Sequence, residues 1–170
     1  MNKKIMSAIS FAIGPVAVFA AFIIVGFLLF SSMFNPTVSK GQMRRIFKRD
    51  YQSLTVVADF LTNAEYSCIY IPDTLENGKM SIGGNFIDIY DRDVVNEINN
   101  LTAHGYSFIE KRDDMIYFQV WSDLNRSRGI VYLIDNEKPI PKFLVKTKKL
   151  SKSHWYYYEE DYKIRRSQSD

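Results

Sequence analysis

The stretch YSFIEKRDDMIYFQVW, residues 106–121, determines the fold class of this chain. Two β-prone segments, 106–111 and 115–121, flank the polar turn Arg112-Asp113-Asp114, which is typical of a β-hairpin. In the second segment, aliphatic side chains alternate with aromatic and mixed ones, as on a strand whose two faces differ. The stretch therefore predicts antiparallel β-structure.

More strands follow the hairpin. Residues 130–134 are apolar on both faces, which is typical of a central strand. Residues 143–147 lie among lysines at positions 142, 146, 148 and 149, and such charge suits an edge strand. Residues 155–158 supply a last strand.

Helical patterns precede the hairpin. Apolar residues recur at three- and four-residue steps between Met43 and Leu61, which predicts an amphipathic helix. Two strands, 66–71 and 86–90, flank a polar loop at 73–84, and a short helix follows, capped by Asp91 and stopped by Gly105. The expected fold is α+β, with an antiparallel sheet of five to seven strands and two helices on one face.

A long apolar run lies at the start of the chain. No charged residue occurs between Lys4 and Lys40, and residues 5–34 are almost wholly apolar. As a helix this run would span about 45 Å, more than the ~30 Å hydrocarbon core of a bilayer. We expect a transmembrane anchor in segment 1–34, a soluble α+β domain at 35–164 and a polar tail at 165–170.

The alternative for the apolar run is a secretory signal peptide that is removed. The apolar run continues for ten residues beyond Val18-Phe19-Ala20, the stretch that resembles a cleavage site, which favours an uncleaved anchor. Lys3 and Lys4 favour an inside N-terminus, whereas the basic residues after the run favour the opposite orientation. A large domain that follows an apolar run crosses the membrane largely regardless of the basic residues beside the run. We therefore expect a single-pass protein of the cell membrane with the domain outside the cytoplasm.

Basic residues open the first helix of the domain. Arg44 and Lys48, and likewise Arg45 and Arg49, are like-charged pairs four residues apart beside the predicted anchor. One interpretation is contact with anionic lipid head groups, and the other is a solvated helix face. The sequence leaves both open.

Composition excludes some functions. The formal net charge of +3 falls to about +1 without Lys3 and Lys4, whereas a nucleic-acid-binding domain is usually far more basic. Nucleic acid is therefore not an expected partner. The one cysteine, Cys68, allows no intrachain disulfide, and its apolar surroundings predict a buried side chain.

The sequence offers little catalytic chemistry. His104 and His154 lie apart from each other and from any cysteine or acid at metal-ligand spacing, and no phosphate-binding loop or nucleophile elbow occurs. We expect no metal, no cofactor and no catalytic residue. The alternative is a small envelope hydrolase or transferase that uses an acid or His154 in a cleft near residues 122–128.

Aromatic residues suggest a partner-binding surface. If Tyr117, Trp121, Trp155 and Tyr157 shared an uncovered face of the sheet, they would form such a surface, because Trp and Tyr are favoured at interfaces. The three acids at positions 159–161, beside the aromatic run at 155–158, could in turn grip a cation or a basic partner through their charge and the ring faces. The alternative is that two rings of the 155–158 run face the core, and the other two cover the sheet.

Three segments carry a resemblance to a known group of proteins. They are Arg128-Gly129-Ile130-Val131-Tyr132, the turn that ends at Pro139, and the run WYYYEEDY at 155–162. These segments resemble the C-terminal half of uncharacterised bacterial single-span membrane proteins. The resemblance implies a bacterial envelope protein and brings no activity with it. The sequence thus predicts a membrane-anchored, non-catalytic binding or interaction domain, in contact with the lipid bilayer and a protein partner.

Overall fold

The computed structural model describes residues 40–72 and 78–167, and its core is one antiparallel sheet. The strand order is β3-β2-β1-β4-β5-β6-β8-β7, and every neighbouring pair is antiparallel. The α+β class is confirmed, with eight strands rather than five to seven. The elements are α1 (Lys40–Asn63), β1 (Cys68–Pro72), β2 (Lys79–Ile82), β3 (Asn85–Asp88), α2 (Arg92–Ala103), β4 (Phe108–Arg112), β5 (Met115–Ser122), β6 (Arg126–Leu133), β7 (Leu144–Lys149), β8 (Trp155–Asp161) and α3 (Tyr162–Arg166).

The strand that the sequence pattern missed is β2, which lies inside the predicted loop. It pairs with β3 through a two-residue turn, in which Gly83 and Gly84 both have positive φ, 57° and 86°. Such a turn joins two strands tightly, and glycine tolerates its backbone conformation. The glycine pair therefore marks a hairpin turn and not the end of a loop.

The register divides the sheet into two faces. Ile69, Ile116 and Trp155 fall in one row across the strands and belong to what we term the helix face. Helix α1 lies on this face, because the Phe47 ring packs 5.5 Å from the Trp155 ring, and Lys111 Nζ donates to the Ala64 carbonyl at 2.8 Å. The apolar stripe predicted for α1 is confirmed by its buried residues Met43, Phe47, Leu54, Val57, Ala58 and Leu61.

Helix α2 packs beside α1 and begins and ends as predicted. The Asp91 carboxylate accepts from the N–H groups of Asp93 and Val94, and Gly105 has φ 94° just after the helix. Ser53 of α1 donates to Glu97 of α2 at 2.6 Å. This hydrogen bond lowers the pKa of Glu97. The pair ties the two helices together at mid-length.

The opposite face of the sheet, which we term the rear face, has a small core of its own. It is formed by buried Tyr117, Val131, Leu133, Leu144 and Tyr158. Beside it, Arg165 of α3 reaches Glu160 at 3.2 Å and Glu110 at 3.7 Å. Residues 165 and 166, the start of the predicted polar tail, complete α3.

The outer part of the sheet shows two further outcomes. Strand β7 lies at the edge, as its lysines predicted, whereas β8 is inserted between β6 and β7. Cys68 is exposed, so the predicted buried thiol was wrong. The cause is the alternation of side chains along β1. Because Ile69 and Ile71 point to the helix face, Cys68 points to the opposite face of the sheet.

Among residues 40–72 and 78–167, none of the helices is both long enough and apolar enough to cross a bilayer. The predicted anchor at 1–34 lies outside the described residues and stays a prediction.

Gly129 of β6 is required by close packing. A Cβ atom at this position would lie 2.1 Å from the backbone oxygen of Phe118 in β5. We predict that Gly129→Ala lowers the free energy of unfolding by about 3 kcal/mol, because backbone on both sides must shift. Denaturant unfolding of the full-length chain in detergent micelles, followed by tryptophan fluorescence, measures this loss.

The matched control is Gly41→Ala in the exposed first turn of α1. It should leave stability unchanged or raise it, because alanine favours the helix over glycine. Equal stabilities for the Gly129→Ala variant and the wild type would show that β5 and β6 do not approach as closely as described.

Candidate functional site

The predicted aromatic partner surface was wrong. Tyr117, Trp155 and Tyr157 are only 1%, 3% and 6% exposed. A β-bulge between Gln119 and Trp121 shifts the register, so Trp121 joins Trp155 and Tyr157 on the helix face, and Tyr117 stays on the rear face. The four side chains therefore do not share a face, and three of them are core residues.

Trp155 is instead a central packing residue of the helix face. Its ring lies 4.8 Å from that of Tyr132, 5.5 Å from Phe47 and 5.7 Å from Phe118. Trp121 is half-buried, with the Arg128 guanidinium 4.9 Å above its ring. The alternative expectation for the aromatic run at 155–158 is confirmed in its main point. The rings of this run alternate between the helix face and the rear face of the sheet.

The acids that follow these aromatics are used within the fold. Glu159 accepts from the Tyr157 hydroxyl at 2.6 Å and from Lys146 at 3.2 Å. Glu160 accepts from Ser127 at 3.0 Å. Asp161 caps α3 by accepting from the N–H of residue 163. Because these contacts occupy the acids, they do not form a free cation-binding cluster.

Glu159 makes stability depend on pH. Burial alone would raise its pKa, but the hydrogen bonds from Tyr157 and Lys146 outweigh burial and lower the pKa. The carboxylate therefore stabilises the fold above the unfolded-state pKa of about 4.3, and this contribution is lost as the pH falls through the lower folded-state pKa.

We predict that Glu159→Gln lowers the free energy of unfolding by about 1 kcal/mol at pH 7. As the pH falls below ~5, the free energy of unfolding should decrease less steeply in this variant than in the wild type. Urea unfolding of the full-length chain in micelles from pH 7 to pH 3 measures both effects. The control is Glu137→Gln, because the Glu137 side chain is exposed in a turn. Parallel pH curves for Glu159→Gln and the wild type would contradict the assigned role.

The basic residues of α1 differ in their surroundings, although Arg44, Arg45, Lys48 and Arg49 are all exposed. Arg49 binds the neighbouring Asp50 through two hydrogen bonds of 2.7 and 2.8 Å. This pairing raises the pKa of Arg49. Within the described part of the chain, the other three make no ion pair. Three of the four predicted lipid-contacting residues thus keep uncompensated charge.

Two of these residues line a cavity. The cavity has a volume of about 300 Å³, and its described lining is Arg44, Phe47, Lys48 and Ser151. Ser151 belongs to the connection between β7 and β8, and the next residue, Lys152, holds its ammonium 5.6 Å above the Tyr51 ring. Sequence reasoning missed Ser151 and Lys152, because they lie about 100 residues from α1 and no local pattern connects the two segments.

A larger groove of about 510 Å³ lies between α1 and α2. Its polar lining consists of Asp59, Asn63 and Asp91. Asp91 already caps α2, and no basic side chain lines the groove among the described residues. The groove therefore lacks converging groups suited to chemistry.

Asp50 forms the most buried charged contact between the two helices. Its carboxylate is fully buried, and Oδ1 lies 2.7 Å from Nδ1 of His104, the C-cap residue of α2. The pKa of Tyr106 is raised, mainly by burial and also by the nearby charge of Asp50. The contact of Asp50 with His104, and a hydrogen bond of 3.4 Å from Arg49 to the His104 carbonyl, lock α1 to the end of α2, which is a structural role.

His154 lies away from residues 122–128, where the catalytic alternative places its cleft. His154 Nδ1 lies 2.7 Å from the carbonyl oxygen of Leu133 and the ring stacks on Tyr132. Residues 122–128 adjoin the other end of β6, about 20 Å away at 3.4 Å per residue. Among the described residues, no group of three or more metal-binding side chains lies together.

Exposed aromatics do occur elsewhere, at the β3 edge. We term Tyr70 and Phe86 the aromatic corner; they are 41% and 66% exposed, while Tyr66 and Tyr90, 48% and 88% exposed, lie before β1 and after β3, toward opposite ends of these strands. Tyr70 and Phe86 lie in one row on the rear face, and Tyr70 packs on Phe108 at 5.4 Å. Every residue of β3 is exposed. Sequence reasoning missed this surface, because the surface depends on which strand lies at the edge of the sheet.

Comparisons of the chain with family models, curated proteins and solved structures give no match.

Proposed function

We propose that this chain is a membrane-tethered, non-catalytic interaction domain at the surface of a bacterial cell membrane, with the domain outside the cytoplasm. The observation that carries the proposal is the aromatic corner beside the open edge strand β3. Large exposed apolar patches on a folded domain commonly mark sites of interaction. Support for the tether comes from the apolar run at 5–34 in the sequence.

The basic residues of α1 support contact with the membrane. The five residues between Phe34 and Lys40 span at most about 20 Å when extended. Arg44, Arg45 and Lys48 follow directly, exposed and without ion pairs among the described residues. Each basic side chain near an anionic membrane contributes about 1 kcal/mol of attraction. The three would hold this end of the domain against the head groups.

The β3 edge supports a partner of definite chemistry. In a hairpin with a two-residue turn, the pair of residues that flanks the turn is hydrogen-bonded. Along β3 the N–H groups then alternate in direction, so those of Phe86 and Asp88 point away from β2. Asp88, Asp91 and Asp93 are exposed around this edge, against Arg92 and against Lys79, which lies opposite Asp88 in the register. The proposed partner is thus an extended protein segment with apolar and basic side chains that adds a strand to β3.

The tether predicts how the full-length chain behaves in cell fractions. It should sediment with membranes and stay there after alkaline carbonate washing, because only an embedded helix resists removal of electrostatic contacts. Immunoblotting of the pellet, with mass spectrometry of the intact chain, checks this. Release into the supernatant, or loss of the first thirty residues, would overturn the tether.

The partner surface predicts a selective loss of capture. In cells that produce the protein, cross-linking should capture a partner that is lost with Phe86→Ser and with Asp88→Pro. The first variant removes an exposed ring, and the second removes an outward N–H group while it keeps the aromatic corner. Quantitative mass spectrometry of cross-linked products measures the loss.

Leu124→Ser is the matched control, because Leu124 is 92% exposed in the connection between β5 and β6, outside the aromatic corner. Its captured partner should be unchanged. Circular dichroism must show the wild-type spectrum for all three variants. Equal capture by all variants would overturn the β3 edge as the partner surface.

A further inference from the structure

Strand β7 forms the second open edge of the sheet, at the end opposite to β3. Just beyond β7, the Leu150 N–H donates to the Trp155 carbonyl at 2.9 Å, which fixes the direction of the backbone groups along the strand. Because these groups alternate in direction, those of Thr147 and Lys149 point away from β8. Like β3, β7 therefore presents backbone groups that another strand can bind.

The direction of the backbone groups along β3 has independent support. The Ile89 N–H donates to the Gly78 carbonyl at 2.7 Å, directly after the strand. By the same alternation, the groups of Phe86 and Asp88 point away from β2. Each edge thus offers two residues, spaced by one, whose backbone groups face outward.

The two edges are compatible in direction and in face. Since all neighbouring strands of the eight-stranded sheet are antiparallel, β3 and β7 run in opposite directions. A second copy in the same orientation can therefore add its β3 antiparallel to β7 of the first. Phe86 and Asp88 lie on the rear face. Thr147 and Lys149 also lie there, because they stand opposite rear-face residues of β8. The combined sheet keeps one helix face and one rear face.

The two edges differ in charge. Residues 142–149 contain four lysines and no acid, and of these lysines only Lys146 is ion-paired among the described residues. Residues 85–93 contain three aspartates against one arginine, with Lys79 opposite Asp88. Two β7 edges would place lysine beside lysine, and two β3 edges would place acid beside acid. Lysines on an edge discourage such pairing of like edges, whereas β3 against β7 brings opposite charges together.

One register matches these features residue by residue. When Asp88 lies opposite Thr147, Ile87 lies opposite Lys148, and Phe86 lies opposite Lys149. Asp88 is then the diagonal neighbour of Lys149 on the same face, within reach of its ammonium. The Phe86 ring, which is 66% exposed, packs on the aliphatic stem of Lys149. In this register the outward backbone groups of the two strands also face each other.

We infer that the extended segment bound by β3 is strand β7 of a second copy of this chain. The inference rests on the proposed function, because it names the partner of the same β3 edge. A head-to-tail contact of this kind leaves one β3 edge and one β7 edge free, so further copies can add. The interface is small, which suits reversible association among copies that one membrane keeps at high local concentration.

The test uses two forms of the full-length chain with different affinity tags, produced together in cells. Both carry Cys68→Ser, because Cys68 is exposed. One form has Ile87→Cys and the other has Lys148→Cys. In the proposed register these two positions form a pair without hydrogen bonds, whose Cα atoms lie about 4.5 Å apart, within the range of a disulfide. Oxidation of isolated membranes should give a linked product that carries both tags on non-reducing gels.

Two kinds of control accompany this product. Leu124→Cys with Lys148→Cys measures chance collision, because Leu124 is 92% exposed in the connection between β5 and β6. Either edge cysteine produced alone, under both tags, measures pairing of like edges. The mixed product of positions 87 and 148 should exceed each control about fivefold, as expected for a preference of about 1 kcal/mol.

Charge reversal tests the ion pair across the interface. Asp88→Lys in the first form, or Lys149→Asp in the second, should each reduce the mixed product about fivefold, because repulsion replaces attraction. Both changes together should restore the product, since the pair is reversed and not lost. Recovery of the product also shows that the two variants fold.

The outcomes separate this inference from the proposed function. Equal yields of the mixed product and the controls, or no recovery when both charges are reversed, would overturn self-association through these edges. If another protein is then still captured and is lost with Phe86→Ser, β3 binds that protein, and the proposed function holds without the inference. If neither a second copy nor another protein is captured through β3, both fail.

Discussion

The packing of Trp155 against Phe47 is the contact on which the arrangement of helices and sheet depends. Trp155 lies in β8, between two strands, and its ring touches side chains from β5, β6 and α1. A buried indole of this size contributes more contact area than any aliphatic residue at the same position. It sets where α1 crosses the sheet, and thereby where the basic residues and the cavity of α1 are presented.

Buried and exposed charges have different roles in this domain. Asp50, Glu159 and Glu160 are buried, and each is bonded to a partner from another part of the fold, which is the condition under which buried carboxylates are tolerated. By contrast, Arg44 and Lys48 carry charge that the described residues do not neutralise. The first set holds the fold together, and the second is available for binding.

Sequence reasoning succeeded where the information is local. The stripe of α1, the Asp91 cap, the Gly105 stop and the β4–β5 hairpin each follow from residues close together in the chain. It failed where strand pairing and burial decide: the register puts Tyr117 on the face opposite Trp155 and Tyr157, all three are buried, and the bulge after Gln119 moves Trp121 to the helix face. The aromatic corner and Ser151 required knowledge of strand order and long-range contact, which periodicity does not contain.

The position of β8 in the sheet has a consequence for synthesis of the chain. Strand β7 contacts the rest of the sheet through β8, which follows it in the chain. The first six strands can pair while translation continues, but β7 must wait for residues 155–161. During that interval the N–H and C=O groups of β6 that later pair with β8 have no partner strand, at an edge whose residues 130–133 are apolar.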